Sequence, residues 1–92
     1  MEKIALVTGS TNNIGKAVAE VLARKGYRVI ITSRNEVEAR EVSERLPKKG
    51  SYFRVDYSEI SSIEGLFTYI KNKFSKLDVL VNNAAYTRND LL

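Results

Sequence analysis

Two glycines, Gly9 and Gly15, separate a short apolar run at 4–7 from a helical pattern that begins at Ile14. A turn between a strand and a helix leaves backbone N–H groups unpaired at the positive end of the helix dipole. Such an end binds a phosphate without needing a cationic side chain. The pattern therefore predicts a phosphate-binding turn, although an ordinary strand-to-helix turn without a ligand has the same signature.

The two glycines have different expected roles in this turn. Gly9 has no Cβ, so the chain can leave the strand sharply and a ligand can approach its backbone. Gly15 would let the first helical turn lie close to the strand or to a pyrophosphate. A helix is predicted after the turn, because apolar residues recur at helical spacing, namely Ile14, Ala17, Val18, Val21 and Leu22.

The composition excludes several classes of protein. The 92 residues contain no cysteine and no histidine, so neither a disulfide framework nor thiolate chemistry is expected, and the commonest metal ligand is missing. The net charge of +4 suits an anionic ligand, but the charges are dispersed and often lie near acids, which favours a solvated face over a nucleic-acid site. No apolar run approaches the ~20 residues of a membrane span and no signal-peptide pattern is present, so we expect a cytoplasmic protein with neither nucleic-acid nor membrane partners.

Strands and helices alternate along the chain. Strands are predicted at 3–7, 28–33, 52–55 and 78–81, and helices at 14–25, at 35–46 and from about 58–61 to 74. Gly26 would end the first helix and Pro47 the second. Asn35 would cap the second helix, with Glu38 completing a capping-box pair.

The third helix carries its own start signal and a long apolar stripe. Ser58 or Ser61 is expected to cap it, and Ser61 with Glu64 matches the capping-box spacing. Core packing is the expected role of the stripe, which consists of Ile60, Ile63, Leu66, Phe67, Ile70 and Phe74.

Alternating strands and short helices predict an α/β fold with a parallel sheet and right-handed crossovers. Four strands would make half of a doubly wound, Rossmann-like fold in the order 3-2-1-4, with helices on both faces, and we expect residues 1–92 to form one domain. Ligands bind where the strand order reverses, between strands one and four. The glycine turn and the Asn-Asn-Ala-Ala segment at 82–85 would flank that crevice.

The end of the second strand bears on the choice of cofactor. A residue about 20 positions past the glycines meets the adenosine ribose in dinucleotide sites. Here Thr32 and Ser33 offer no carboxylate. Arg34 could make bidentate hydrogen bonds to a 2′-phosphate, and the Ser33 hydroxyl could donate to the same group. We therefore expect a preference for NADP over NAD. The alternative is that Arg34 is simply an exposed residue at a strand end.

Asp56, at the end of the third strand, has two possible roles. It could accept a hydrogen bond from the adenine amino group, with Tyr57 beside the ring. Equally, it could be a loop carboxylate stabilised by the dipole of the following helix.

Taken together, these segments resemble the classical short-chain dehydrogenase/reductase family. The resemblance rests on Thr8-Gly9-Ser10-Thr11-Asn12-Asn13-Ile14-Gly15, on Asp56 and on Asn82-Asn83-Ala84-Ala85, which follow one another in the family's order. The stretch 78–84 is similar to the family's fourth strand, and the tail at 86–92 resembles the segment that follows it in 3-oxoacyl-[acyl-carrier-protein] reductases. The resemblance spans the entire chain and corresponds to the N-terminal half of such an enzyme.

The resemblance implies a role for each matching residue. The phosphates would be lined by Gly9, Thr11, Asn12, Asn13, Ile14 and Gly15. Ser33 and Arg34 would face the adenosine phosphate, and Asp56 and Tyr57 would hold adenine. The nicotinamide ribose would lie along Asn83, Ala84 and Ala85. The resemblance implies that the intact enzyme transfers hydride from NADPH to a carbonyl, with a 3-oxoacyl thioester as the expected substrate.

The sequence departs from the family pattern at two glycines. Asn13 stands at the family's middle glycine, and asparagine tolerates positive φ, so the turn can survive. Ala85 stands at the last glycine of the family's Asn-Asn-Ala-Gly, and its methyl group would crowd the cofactor slightly.

The family's serine, tyrosine and lysine, the latter two spaced Tyr-x-x-x-Lys, fall beyond residue 92. Tyr69 and Lys73 match this spacing, but they lie on the third helix, so we do not assign them to catalysis. Cofactor binding without turnover is therefore expected of this chain alone. A rival hypothesis is a non-catalytic module that self-associates through the edge of the fourth strand or the bare face of the third helix.

Overall fold

The computed structural model describes residues 2–83; the predictions for Ala84, Ala85 and the tail at 86–92 lie outside this range. Strands and helices alternate as the sequence predicts: β1 (Ile4–Val7), α1 (Asn13–Arg24), β2 (Arg28–Ser33), α2 (Glu36–Arg45), β3 (Ser51–Arg54), α3 (Ile60–Phe74) and β4 (Val79–Val81). The first, third and fourth strands and the first two helices differ from their predicted bounds by one residue at one or both ends.

The sheet is parallel, and its order is β3-β2-β1-β4, as predicted. Val7, the last residue of β1, is paired with Ile31 on one side and with Val81 on the other. The order reverses at β1, so the ends of β1 and β4 border the crevice in which such folds bind ligands. β1 is buried along its whole length, which explains its uninterrupted apolar sequence.

Helices cover both faces of the sheet. α1 and α2 pack on one face through a cluster that includes Ala23, Ala39 and Val29. α3 packs on the other face, where Leu66 and Ile70 meet Leu6. None of the helices formed by residues 2–83 is both long and apolar enough to span a membrane.

α1 turns only part of its apolar stripe toward the sheet: Val18 and Leu22 pack against the core, whereas other residues of the stripe are exposed. Ile14 is 70% exposed and Val21 is 48% exposed. The helix instead buries its smallest side chains, at Gly15, Ala19 and Ala23. Small residues let the helix axis approach the sheet closely, and this close approach turns part of the apolar stripe toward solvent.

The predicted start of α3 is wrong. Its N-cap is Glu59, which makes no side-chain capping bond, and Ser61 lies inside the first turn. The Ser58 hydroxyl is engaged elsewhere, because it donates to Asp56 Oδ1 over 2.6 Å. The Ser62 hydroxyl accepts a hydrogen bond from the Asp56 amide over 2.8 Å. The start of α3 is therefore tied to the loop that follows β3.

The apolar stripe of α3 is only partly in the core. Leu66 and Ile70 are buried as predicted, whereas Ile60 is 77% exposed and Phe67 is 49% exposed. These two side chains point away from the sheet, so core packing does not explain them.

The predicted end of α1 and the predicted N-cap of α2 are confirmed. Gly26 follows α1 with a φ of 95°, which few residues other than glycine adopt. Asn35 caps α2, and its side chain accepts a hydrogen bond from the Glu38 amide over 3.1 Å. The Asn35 amide donates to the Ser33 hydroxyl rather than to Glu38, which leaves the capping box half formed.

Candidate nucleotide-binding site

The turn after β1 is sharp and is anchored to β4. Gly9 has a φ of 63°, in the left-handed region, as its predicted role in the turn requires. The Thr8 amide donates to the Val81 carbonyl over 3.0 Å, and the Asn12 amide donates to the Gly9 carbonyl over 3.3 Å. The chain therefore passes from the end of β1 at Val7 to the start of α1 at Asn13 in a tight turn.

The N-terminus of α1 presents free backbone donors. Asn12 is its N-cap, and Asn12 Oδ1 accepts a hydrogen bond from the Gly15 amide over 2.9 Å. The amides of Asn13 and Ile14 make no hydrogen bond to any residue in 2–83. The first turn carries no acidic side chain to compete for them. An anion placed here would meet two free N–H groups at the positive end of a helix dipole.

Gly15 is the point of closest packing in the site. A Cβ at this position would lie 2.2 Å from the Gly9 carbonyl oxygen and 2.7 Å from Asn83 Nδ2. No other residue fits there without moving the backbone. The predicted close approach of helix and strand is confirmed, with the Asn83 side chain packed beside it.

Asn13 does not need the positive φ that its replacement of a glycine suggested. It is the first residue of α1, and among the described residues the only non-glycine residue with positive φ is Ser75. The turn survives because Gly9 alone supplies the left-handed conformation.

The segment after β4 joins the same site. The Asn83 amide donates to Thr8 Oγ1 over 2.7 Å, and Thr8 Oγ1 donates to Asn82 Oδ1 over 3.1 Å. Asn83 Nδ2 donates to Asn12 Oδ1 over 3.2 Å and, more weakly, to the Gly9 carbonyl over 3.5 Å. The predicted convergence of the two turns is thus confirmed for residues 82 and 83.

A buried hydroxyl that the sequence did not single out holds the glycine turn against β2. Ser10 is fully buried, and its hydroxyl accepts a hydrogen bond from the Thr32 amide over 2.9 Å. Thr32 Oγ1 in turn lies 2.8 Å from the Tyr57 hydroxyl. The partner of Ser10 is 22 positions away in the sequence. Only the register of β1 and β2 could have revealed this bond.

Tyr57 is more deeply placed than a residue that only stacks on a ligand. Its ring packs against the cluster under α3, and burial raises the pKa of its phenol above the ordinary range. Its hydroxyl reaches the end of β2 through Thr32. Tyr57 therefore packs beneath the loops that follow β2 and β3 and stabilises their positions.

Asp56 lies at that corner with its carboxylate turned to its own loop. Asp56 Oδ1 accepts hydrogen bonds from the Ser58 hydroxyl and amide, and these bonds, with weaker attraction from Arg34 and Arg54, lower the pKa of the carboxyl. These contacts within the loop support the interpretation of Asp56 as a loop carboxylate. The second carboxylate oxygen makes no hydrogen bond to any described residue.

Ser33 ends β2 beside this loop, and Arg34 follows it. The Ser33 carbonyl accepts a hydrogen bond from the Val55 amide over 3.0 Å, and Arg34 is exposed. Arg54 is the register partner of Ser33, so a second exposed guanidinium comes to the same corner. Arg54 could not be assigned to this corner from the sequence, because its position there depends on the pairing of β3 with β2.

Tyr69 and Lys73 are remote from the crevice. The Tyr69 ring stacks on Phe53 with 4.7 Å between centroids, and Lys73 Nζ lies 5.5 Å from the Tyr69 centroid. Tyr69 is nine residues beyond the first residue of α3, or roughly 13 Å along the helix axis.

Comparison with known proteins identifies relatives of this arrangement. The family model described as short chain dehydrogenase matches residues 3–91. The 3-oxoacyl-[acyl-carrier-protein] reductase FabG of Haemophilus influenzae is 49% identical over 90 residues, which cover 98% of this chain and 37% of that protein. The chain thus spans little more than a third of this curated relative.

Two solved structures are also similar to this chain. Menthone neomenthol reductase from Mentha piperita is similar with a TM-score of 0.86 and 35% identity, over 94% of this chain and 32% of that one. YwfH, described as an NADPH-dependent reductase involved in bacilysin biosynthesis, is similar with a TM-score of 0.85 and 29% identity, over 96% of this chain and 39% of that one.

Proposed function

Because this chain belongs to the short-chain dehydrogenase family of oxidoreductases, we propose that residues 1–92 form the NADP(H)-binding N-terminal portion of a reductase. The observation that carries the proposal is the mouth of α1. There Gly15 adds no side chain of its own, and the amides of Asn13 and Ile14 have no described partner. Two free N–H groups at a helix N-terminus fit a pyrophosphate.

Residues around this mouth would hold the phosphates and the ribose beyond them. The phosphates would contact residues of the turn and first helical turn, Gly9, Thr11, Asn12, Asn13, Ile14 and Gly15. Asn83 is tied to Asn12 and to the Gly9 carbonyl, which supports a position for it at the edge of the same crevice. We place the nicotinamide ribose along Asn83, Ala84 and Ala85.

The corner between β2 and β3 supports NADP over NAD. Ser33 ends β2, the exposed Arg34 follows it, and Arg54 adds a second positive charge nearby. Asp56, at the same corner, accepts a hydrogen bond from the Ser58 hydroxyl through its Oδ1. Two guanidinium groups suit the 2′-phosphate of NADP. The description of YwfH as NADPH-dependent is consistent with this choice. Adenine would lie beside Asp56 and Tyr57.

NADPH supplies a hydride to a carbonyl when it is bound to an enzyme of this kind. For the intact enzyme we propose a 3-oxoacyl thioester as substrate, supported by the name of the Haemophilus influenzae relative. Within 1–92 the Tyr-x-x-x-Lys spacing occurs only at Tyr69 and Lys73, which lie on α3 away from the crevice. Residues 1–92 would therefore bind and orient the cofactor without turning over a carbonyl substrate.

Calorimetric titration of the purified 92-residue chain with NADPH and with NADH tests the proposal. We expect saturable binding of both, tighter for NADPH. A flat titration with both cofactors, from a chain whose circular dichroism shows the α/β fold, would contradict it. Carbonyl reduction is assayed separately, and turnover by this chain, with contaminating reductases excluded, would refute the binding-only role.

A second candidate function is a self-associating module, and the exposure of β4 favours it. β4 is an edge strand of the described sheet, and its central residue Leu80 is 55% exposed. Phe67, also exposed, lies on α3, the helix that packs on one face of the sheet. An exposed parallel edge beside apolar side chains can pair with a second copy. A concentration-independent monomer mass in light scattering would dispose of this candidate.

A further inference from the structure

A cavity of about 570 Å³ opens beside the edge strand β3, between α2 and α3. We call it the edge cavity, and its lining includes Arg28, Arg40, Lys49, Lys73, Glu44 and Tyr52. Arg28 begins β2, and Lys49 lies just before β3, so the cavity sits at the amino ends of these strands. The crevice at the glycine turn is at the carboxyl ends, roughly 20 Å away along a six-residue strand. The two sites are separate.

Four cationic side chains line the edge cavity, and they come from four different segments of the fold. Arg28 belongs to β2, Arg40 to α2 and Lys73 to α3, while Lys49 precedes β3. Glu44 is the single carboxylate in the lining. The lining therefore carries a net positive charge of three in a protein whose total is +4.

Three of the four cationic side chains have no ion-pair partner among the described residues. Arg28 pairs with Glu2 over 3.1 Å outside the lining. Arg40, Lys49 and Lys73 make no ion pair with any residue in 2–83. Like charges that line one cavity repel each other, and a bound anion would relieve that repulsion.

The backbone around the edge cavity is fixed, which would favour binding by reducing the entropy lost on ordering the site. Gly50 is buried, and a Cβ there would lie 2.3 Å from the Val29 carbonyl oxygen. Its amide donates to the Ser43 carbonyl over 3.1 Å. The Ser43 hydroxyl donates to the Arg40 carbonyl over 2.7 Å. The segments that carry Lys49 and Arg40 are thus held together below the cavity.

We propose that the edge cavity binds a small phosphate-bearing anion with two or more negative charges. Its volume lies in the range of small-molecule pockets. Arginine and lysine side chains recognise phosphate oxygens. The hydroxyl of Ser51 in the lining has no partner among the described residues and can donate to them. An acidic peptide added to the sheet edge is a poorer fit, because β3 offers only four residues for pairing. The proposal does not depend on cofactor binding at the glycine turn.

The test uses the ¹⁵N-labelled 92-residue chain titrated with inorganic pyrophosphate, against sodium chloride at matched ionic strength. We expect saturable shifts of the Gly50, Ser51 and Tyr52 amides that sodium chloride does not reproduce. Shifts confined to residues 9–15 would overturn the proposal, although they would support cofactor binding at the glycine turn.

Charge variants with matched controls test whether the residues that line the edge cavity contribute to pyrophosphate binding. Arg40→Gln should weaken pyrophosphate binding at the Gly50–Tyr52 amides by about two- to fivefold, the range for exposed charge contacts. Glu44→Gln should tighten it by a similar factor, a gain that a damaged fold cannot produce. The controls Arg45→Gln and Glu41→Gln change exposed residues of the same helix outside the cavity.

Equal effects of the cavity variants and their controls would overturn the proposal, since they would reflect net charge alone. So would tighter binding of a poly-glutamate peptide than of pyrophosphate at the same amides, which would make the cavity a peptide site. Binding that follows Arg40 and Glu44 but not Arg45 and Glu41 supports it.

Discussion

Asn83 Nδ2 donates a hydrogen bond to Asn12 Oδ1 over 3.2 Å, although 71 positions separate the two residues. The same oxygen accepts from the Gly15 amide over 2.9 Å. One side-chain oxygen therefore caps α1 and joins the turn after β1 to the turn after β4. Changes at this oxygen should affect the stability of the helix and the shape of the crevice together.

Replacing Asn12 should separate these two effects. Asn12→Ala removes the cap and should lower the free energy of unfolding by about 1 kcal/mol. Asn12→Asp keeps the accepting oxygen and adds a negative charge at the helix N-terminus, which favours the helix. The same charge would repel the pyrophosphate, so stability should be retained while NADPH affinity falls. Urea unfolding and calorimetry measure the two quantities.

Asn35 supplies the control, because it caps α2 in the same way, with 3.1 Å from its Oδ1 to the Glu38 amide. Asn35→Ala should destabilise the chain by about the same amount, with no change in NADPH affinity beyond that of the unfolded fraction. Equal NADPH affinity in Asn12→Asp and wild type would contradict the assignment of the phosphate site.

Gly15→Ala should be among the most damaging single-methyl changes in this chain. The new Cβ would lie 2.2 Å from the Gly9 carbonyl oxygen, so either the helix or the turn must shift. We expect a loss of about 1–3 kcal/mol in the free energy of unfolding, the cost of overpacking, and loss of NADPH binding. Thermal unfolding and calorimetry measure these changes.

Gly65→Ala is the matched control, since it adds the same methyl group to a helix. Its Cβ would meet only Phe53 Cζ, at 4.0 Å. Alanine is the better helix former, so this variant should gain about 0.5–1 kcal/mol in stability. Similar losses in both variants would show that the close approach at Gly15 is not what matters.

The sequence predicts the sheet order because alternating strands and helices with short connections admit few topologies. It also locates the crevice, since Gly9 and Asn83 both follow strands that meet where the order reverses. The Asn35 cap is readable because its bond is local. These features depend on residues close in sequence or on a topological rule.

The features that could not be predicted depend on packing between distant segments. Whether Ile14 or Ala19 faces the sheet is decided by how closely α1 approaches it, and both are apolar. The bond between Ser10 and Thr32 needs the register of two strands. The sequence predicts Ser58 as a possible N-cap, but its hydroxyl donates a hydrogen bond to Asp56 Oδ1 instead.

Arg34→Asp should reverse the cofactor preference. It removes an exposed cation at the end of β2 and places a carboxylate where a 2′-phosphate would be repelled and a 2′-hydroxyl accepted. We expect the ratio of NADPH to NADH affinity to fall by about tenfold to a hundredfold, the worth of one or two charge-assisted contacts. Calorimetry with both cofactors gives the ratio.

Arg45→Asp makes the same change of charge on α2, away from the corner of β2 and β3. It should leave the ratio of affinities unchanged, since any loss of stability affects both cofactors equally. An unchanged ratio in Arg34→Asp would mean that Arg34 is only an exposed residue at a strand end.

Leu80→Lys tests the self-association candidate at the β4 edge. The leucine is 55% exposed, so a lysine should fit the fold while its charge opposes edge pairing. If wild-type chain forms dimers or larger species in light scattering at high concentration, this variant should be monomeric. Val37→Lys, on α2 with the same 55% exposure, should leave the assembly intact. Loss of assembly in both variants would point to net charge rather than to the edge.

Asp78 makes the stability of the sheet depend on pH. Asp78 Oδ2 accepts a hydrogen bond from the Ile4 amide over 2.7 Å and pairs with Lys76 Nζ over 3.1 Å. These contacts, the amide bond first, hold the pKa of the carboxyl below the ordinary range. A carboxyl whose pKa is lower in the folded state stabilises the fold above its unfolded-state pKa and loses that contribution as pH falls through the folded value.

Stability should therefore decline as the pH drops below about 4, the ordinary pKa of an aspartate, because protonated Asp78 no longer holds β4 to β1 as an anion. Asp78→Asn should be less stable than wild type at neutral pH and should show a shallower decline in this range, measured by urea unfolding at each pH. Asp56 has a lowered pKa of the same sign, so Asp56→Asn should flatten the curve separately, and the double variant further. A wild-type slope in Asp78→Asn would show that the bond to Ile4 adds nothing that depends on charge.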